Sequence, residues 1–249
     1  MNYQYIKQPN LPMRKACKVI VDYRISEESQ KSLEKEGIEV IKTVPISSLY
    51  EQVNGHPDMQ IHHLGDNNFV CEPSSFSYYK EKLKGANLLK GTELSEKYPY
   101  DILYNGALCN SVFFHKLNYT EKEIINFYNH KKVRLVNVNQ GYSKCSVAVI
   151  ADNTIITSDE QIHKKALEFG LNSLYVNPIQ IILNGMSNGF IGGVCGLIDK
   201  NVLAIIGSVN CFDDGRKIKK YCEAYNIKIL ELQNSKLVDI GSIIPVMQK

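Results

Sequence analysis

The apolar positions of residues 141–175 change their period twice within one short span. "VAVI" at 147–150 is a continuous apolar run, the polar pair Asp152-Asn153 interrupts it, and the β-branched "TIIT" at 154–157 follows. Beyond that, Ile162, Ala166 and Phe169 recur at helical spacing, with Ser158 as the expected N-cap and Gly170 at the expected C-cap. "LNSLYVNP" then reads as another strand. The pattern predicts strand, tight turn, strand, helix, strand. Asp and Asn suit the turn because their short polar side chains tolerate positive φ.

The same unit recurs along the chain. "GHPDMQIHHLGDNNFVCEPSS" at 55–75 aligns without a gap on "GYSKCSVAVIADNTIITSDEQ" at 141–161, at a constant offset of 86 residues that pairs Gly55 with Gly141, Asp66 with Asp152 and Asn67 with Asn153. A third copy starts at Gly189, whose Gly189, Phe190, Ile198 and Asn201 fall on Gly141, Tyr142, Ile150 and Asn153 at a constant shift of 48. A weaker copy runs from Asn105. The fifth is split: "LVDIGSIIPV" at 237–246 supplies a first strand, and residues 17–44 supply strand, helix and strand, with Ser26 as cap and Gly37 as terminator.

Repeats of this kind fix a whole architecture. Five such units, one of them closed by both chain ends, predict an α/β fold: a five-bladed α/β propeller. Joining the termini in one sheet removes a free strand edge and ties both ends down. The alternative is a two-layer α/β protein with hairpins alike by chance, against which the gapless offset argues. No linker divides the chain, so residues 1–249 are expected to form a single domain, with residues 1–15 as an irregular N-terminal arm.

Composition narrows the function classes. Apolar residues make up 44% and charged residues 22% of the 249, with a net charge of +3 that is not clustered, so nucleic acid is not an expected partner. Seven cysteines without a CxxC pair argue against a disulfide framework or a zinc ribbon. The first fifteen residues have no apolar core for a signal peptide, and the apolar runs are too short to span a bilayer. The expectation is a soluble cytoplasmic protein with no membrane partner. Oligomeric state is left open.

The repeats resemble the pentein fold, shared by the guanidine-modifying enzymes and by a ribosomal-subunit anti-association factor. The segment "GYSKCSVAVIADNTIITSDEQIHKKAL" at 141–167 is similar to the dimethylarginine hydrolase segment that carries a catalytic histidine. In that alignment Lys144 matches a lysine and Tyr142 stands where the histidine is expected. The nucleophilic cysteine of those enzymes belongs to the unit reading "LVDIGSIIPV", where this chain has Gly241 and Ser242. Asp239 matches an acidic residue that precedes that cysteine. The resemblance implies a branch of the superfamily without the usual catalytic Cys and His.

In a propeller the starts of the units converge, which would bring His56, Asp58, Asn105, Cys109, Tyr142, Lys144, Cys145 and Asp239 around a polar central channel. Three residues are the catalytic candidates. Cys145 beside Lys144 is a candidate thiolate, the adjacent cation being expected to lower its pKa, with His56 as base and Asp58 to orient it. Asn105, Tyr142, Lys144 and Asp239 are the ligand-binding candidates. His62 and His63 alternate faces on a strand and are expected to be solvated, so no three-histidine metal site is expected. No cofactor is implied. The expected function is binding of a small amino-acid-like or guanidino ligand, with Cys-dependent hydrolysis of an amidine or amide C–N bond if the protein is catalytic. The other class is a non-catalytic binding protein on the same scaffold.

Overall fold

The computed structural model describes residues 3–249. The described residues form five small sheets, four of which follow one plan. In the second sheet β4 (Ile61–Gly65) pairs antiparallel with β5 (Asn68–Cys71), and α3 (Phe76–Lys82) leads to β6 (Asn87–Lys90), parallel to β5. The third is β7 (Ala107–Cys109), β8 (Val112–His115), α4 (Lys122–His130) and β9 (Arg134–Asn137). The fourth is β10 (Val147–Ala151), β11 (Thr154–Thr157), α6 (Glu160–Glu168) and β12 (Asn172–Tyr175). The fifth is β13 (Cys195–Asp199), β14 (Val202–Ile205), α7 (Gly215–Ala224) and β15 (Lys228–Glu231).

The remaining sheet joins the chain ends. Its order is β1 (Gln4–Tyr5), β16 (Ile244–Gln248), β2 (Ala16–Val21) and β3 (Glu39–Lys42), with α1 (Glu27–Lys35) between β2 and β3. β16 runs antiparallel to both β1 and β2, as a sheet closed by both termini requires. Residues 6–15 carry Ile6 and Leu11 into the core and hold a turn bridging Gln8 to Leu11.

Local chemistry accounts for the repetition. Each first hairpin of the second, fourth and fifth sheets has a register shift just before its turn, at His63/Gly65, Val149/Ala151 and Leu197/Asp199. These are the same positions under the 86- and 48-residue offsets. A bulge there bends the strand and increases its twist. Asp66 takes a φ of 52° in its turn, and Gly37 and Gly170 end their helices at 74° and 78°. Ser26 caps α1 by accepting from the Ser29 amide at 3.1 Å.

Several local expectations shift. The N-cap of α6 is Asp159, which accepts from the Ile162 amide at 2.8 Å, and not Ser158, because the carboxylate reaches the first free amides from one residue further on. The expected strand at 237–246 begins only at Ile244; Leu237 to Ser242 is an irregular crossing segment instead. His62 and His63 are buried rather than solvated. His62 is held by the Tyr104 carbonyl at 3.0 Å and the Tyr128 hydroxyl at 2.8 Å, and His63 stacks on Phe69 and bonds the Asp66 carbonyl. Both faces of β4 are covered, so alternation did not expose either ring. Of the seven cysteines, Cys211 is exposed, Cys17 half-buried and the other five buried. No helix of the described residues is long and apolar enough to cross a membrane.

Two outcomes follow from this packing. Removing residues 237–249 deletes an inner strand, so the truncated chain should lose its cooperative thermal transition by circular dichroism. The single change Ile243→Ala, at a fully buried position, should cost about 2–5 kcal/mol in urea unfolding.

Burial also holds His62 down at about 3 and His63 and His115 at about 4. A histidine with a depressed folded pKa contributes stability that is fully present above its unfolded value near 6.5 and is lost as pH falls toward the folded value. The three histidines should therefore lower the melting temperature between pH 6.5 and 4, against an opposing gain from the raised Asp58 and Asp239 carboxyls. Replacing His62 by Asn should make the measured Tm fall less over that range.

Candidate functional site

The first strands are each preceded by a tight turn, and these turns carry the polar residues. Before β4 the chain forms the one-turn helix α2 (Pro57–Gln60), started by Pro57 at its first position, where a missing N–H costs nothing. Before β10 lies α5 (Ser143–Ser146). Before β13 a 3-10 turn spans Ile191–Val194, with glycines where the backbones close up: a Cβ on Gly192 would stand 2.4 Å from the Lys144 carbonyl oxygen, and one on Gly193 would strike the Asp239 carboxylate. The glycine-rich stretch is thus a packing surface.

Asn105 ties two of these turns together. Its Oδ1 accepts from the backbone amides of Lys144 and Cys145 at 2.9 and 3.2 Å, and its Nδ2 donates to the Asp58 carbonyl at 3.3 Å and lies 3.3 Å from Cys145 Sγ. Asp58 and Cys145 are thereby held face to face. The Cys145 thiol donates to Asp58 Oδ2 at 3.0 Å.

The crossing segment before β16 adds the other side. Asp239 accepts from the amides of Phe190 and Gly241 at 2.8 and 2.9 Å, which pins the turn that follows. Ser242 adopts φ 82°, a strained conformation for a residue with a Cβ, and is fully buried. Its Oγ lies 2.9 Å from each of Lys144 Nζ, Asp58 Oδ2 and the Gly192 carbonyl oxygen. Ser242 is the site residue that sequence reasoning did not single out. Its signal was the resemblance alignment, in which Gly241 and Ser242 stand where the nucleophile is expected.

His56, Asp58, Asn105, Lys144, Cys145 and Asp239 all lie in this buried cluster. Two other candidates do not join it. Cys109 points its Sγ at the Asp152 carbonyl, 3.6 Å away at the hairpin turns, and the Tyr142 hydroxyl donates to Asp101 while its ring stacks near Phe190. The partner of His56 is Asp239, with Nδ1 and Oδ1 3.9 Å apart, rather than Asp58.

The electrostatics reverse one expectation. The Cys145 thiol is pushed well above its ordinary range, by burial first and then by the charges of Asp58 and Asp239; the adjacent Lys144 does not make it a thiolate. Burial also raises Asp58 to about 6 and raises Asp239, and it lowers His56. A cavity of about 20 Å³ beside Asp58 and Lys144, bounded also by His62, Tyr104, Pro9 and Asn10, has room for roughly one water. A groove of about 920 Å³ beside Asp152 and Lys200 shares no lining residue with the cluster.

Five strand–strand–helix–strand units with a polar cluster at the starts of their first strands define a pentein-type α/β propeller. Solved structures bear out that class. The inosamine-phosphate amidinotransferase StrB1 from Streptomyces griseus superposes with a TM-score of 0.58 at 9% identity, over 97% of this chain and 96% of its own. DDAH from Pseudomonas aeruginosa, solved with citrulline, gives 0.54 at 8% identity over 88% and 92%. A dimethylarginine dimethylaminohydrolase adduct with S-methyl-L-thiocitrulline gives 0.55 at 9% over the same shares. At such identities the likeness concerns the fold alone. By sequence, no curated protein matches. The chain belongs to the family of unknown function DUF6873, whose profile matches residues 20–244.

The amide of Asn105 gives this arrangement a direct test. Asn105→Ala strips the buried Cys145 N–H of its acceptor, at a cost of about 1–3 kcal/mol, while the Lys144 N–H keeps the Asn105 backbone carbonyl at 2.9 Å. Denaturant unfolding should show a loss in that range, and an unchanged midpoint would contradict the bridging role.

Proposed function

We propose that this chain binds a small amino-acid-like or guanidino ligand at the central cluster, and that Cys145, His56 and Asp58 make the cluster hydrolytic toward an amidine C–N bond. The observation that carries the reading is the convergence of two buried carboxylates, Asp58 and Asp239, on a cluster with one buried ammonium, Lys144. A cationic group lying between the carboxylates relieves their repulsion. Lys144 is suited to the ligand's carboxylate, while Asn105 serves the scaffold and Tyr142 the wall toward Asp101.

In the reaction, Asp58 Oδ2 takes the thiol proton as Sγ bonds to the amidine carbon. The C–N bond to the leaving amine then breaks as that nitrogen receives the proton. Water displaces the sulfur and restores the thiol, with His56 suited to activate that water. Access requires the cluster to open, since the cavity beside Asp58 holds roughly one water.

A second reading, a non-catalytic binding protein, is favoured by one observation: burial and two carboxylates hold the Cys145 thiol in its protonated form.

Two measurements separate these. Arginine-like compounds should raise the melting temperature, and Asp58→Asn should abolish the shift; no shift across guanidino and amino-acid panels removes the ligand class. A pH series of alkylation with mass mapping of the seven free cysteines then tests the chemistry. Labelling of Cys145 that the ligand accelerates or that precedes exposed Cys211 supports the hydrolase. Labelling confined to the exposed thiols, with Cys145→Ala retaining ligand affinity, supports the binding protein.

A further inference from the structure

We propose that His56, Asp58 and Cys145 form a site for one borderline-soft divalent cation, of which Zn2+ is the type. An imidazole nitrogen, a carboxylate oxygen and the thiol sulfur of these residues all lie within 4.8 Å of one another, and the three side chains are buried at 1%, 2% and 3% exposure. Donors around a tetrahedral zinc at bond lengths of roughly 2.0–2.3 Å are separated by between three and four ångströms, so the cluster needs only a small contraction. The donor types select the metal. Sulfur and imidazole favour Zn2+ or Co2+, whereas Mg2+ and Ca2+ require oxygen ligands.

An independent observation points to a ligand in the same place. Neither ring nitrogen of His56 has a hydrogen-bond partner among the described residues, and neither does Oδ1 of Asp58. Buried polar atoms left in this state cost about 1–3 kcal/mol each. A cation bonded to the imidazole and the carboxylate relieves two residues at once. On β4, by contrast, both nitrogens of His62 are engaged by Tyr104 and Tyr128, and His63 leaves only Nδ1 without a partner while Nε2 bonds the Asp66 carbonyl.

Charge agrees with this assignment. Asp58 and Asp239 outnumber Lys144, and Asp239 Oδ1 stands 3.9 Å from His56 Nδ1, so a second carboxylate flanks the site. On binding, the Cys145 thiol releases its proton to solvent and one metal–sulfur bond forms, with no change of oxidation state. Two carboxylates and a thiolate then balance a divalent ion and the Lys144 ammonium. Lys144 is the opposing group: its Nζ bonds Ser242 Oγ, which itself touches Asp58. Its charge weakens the site without blocking it. Three protein donors leave one position of a tetrahedral ion for water or for a donor atom of a bound molecule.

The inference does not rest on the guanidino reading. Both use Asp58, so the metal and an organic cation exclude one another.

The test is a Co2+ titration of the metal-free full chain, followed by absorption, with Zn2+ as competitor. Saturation at one ion per chain is expected, with thiolate-to-cobalt charge-transfer bands and the intense visible bands of a four-coordinate ion. Cys145→Ser should remove the charge-transfer bands, His56→Asn should weaken binding more than tenfold, and Lys144→Met should tighten it. Cys211→Ser should change nothing, because that exposed thiol is the obvious adventitious ligand. X-ray absorption on the wild-type zinc form needs no variant to fold; it should find one sulfur among nitrogen and oxygen neighbours. No binding, bands that survive Cys145→Ser, bands lost in Cys211→Ser, or a zinc shell without sulfur would each overturn the proposal. The arginine-analogue melting shifts, measured in chelator, succeed or fail separately.

Discussion

The pairing of the C-terminal strand with β2 is the constraint on which both fold and site depend. β16 lies inside its sheet, bonded on both sides, so the last residues of the chain are held as firmly as any core strand. The segment just before it must then cross the cluster at a fixed height. That crossing brings Asp239, Gly241 and Ser242 against α2, α5 and the turn before β13. The strand that closes the sheet therefore also positions one side of the site.

Within the cluster the backbone geometry is set by hydrogen bonds to side chains rather than by regular structure. Asn105 spans two turns, and Asp239 spans two more, each amide or carboxylate satisfying main-chain groups that no strand partner reaches. This is how short irregular segments can be buried without leaving their N–H groups unpaired. The exceptions are then informative. His56 keeps both ring nitrogens and Asp58 one carboxylate oxygen unpaired side by side in the cluster, where Asn54, His63, Asp101 and Tyr221 each leave a single atom unpaired, and Ser242 keeps a φ that its Cβ disfavours. Such departures from local consistency concentrate where a protein does its chemistry.

Burial is the force that governs the titratable groups here. It raises Asp58, Asp239 and Cys145 and lowers His56, in each case toward the neutral form. A neighbouring lysine in sequence did not outweigh it, because a thiol enclosed with two carboxylates gains more from its proton than from one ammonium. The chemical behaviour of Cys145 is therefore a property of the enclosure.

The periodicity of the chain determined the architecture. Short apolar and β-branched runs, an Asp-Asn turn and a helical stripe are local patterns, and their recurrence at fixed offsets was enough to read strand, strand, helix and strand five times, including the split unit. The membership of the cluster was also legible in part: glycine-led turns before first strands pointed to His56, Asp58, Lys144 and Cys145. Only the tertiary structure decided which side chains meet. It turned Tyr142 toward Asp101, buried His62 and His63 on both faces of β4, and joined Asp58 to Cys145 through residues 87 positions apart. Side-chain direction at a turn depends on which backbone packs against it, and that information lies in contacts distant along the chain rather than in any local pattern.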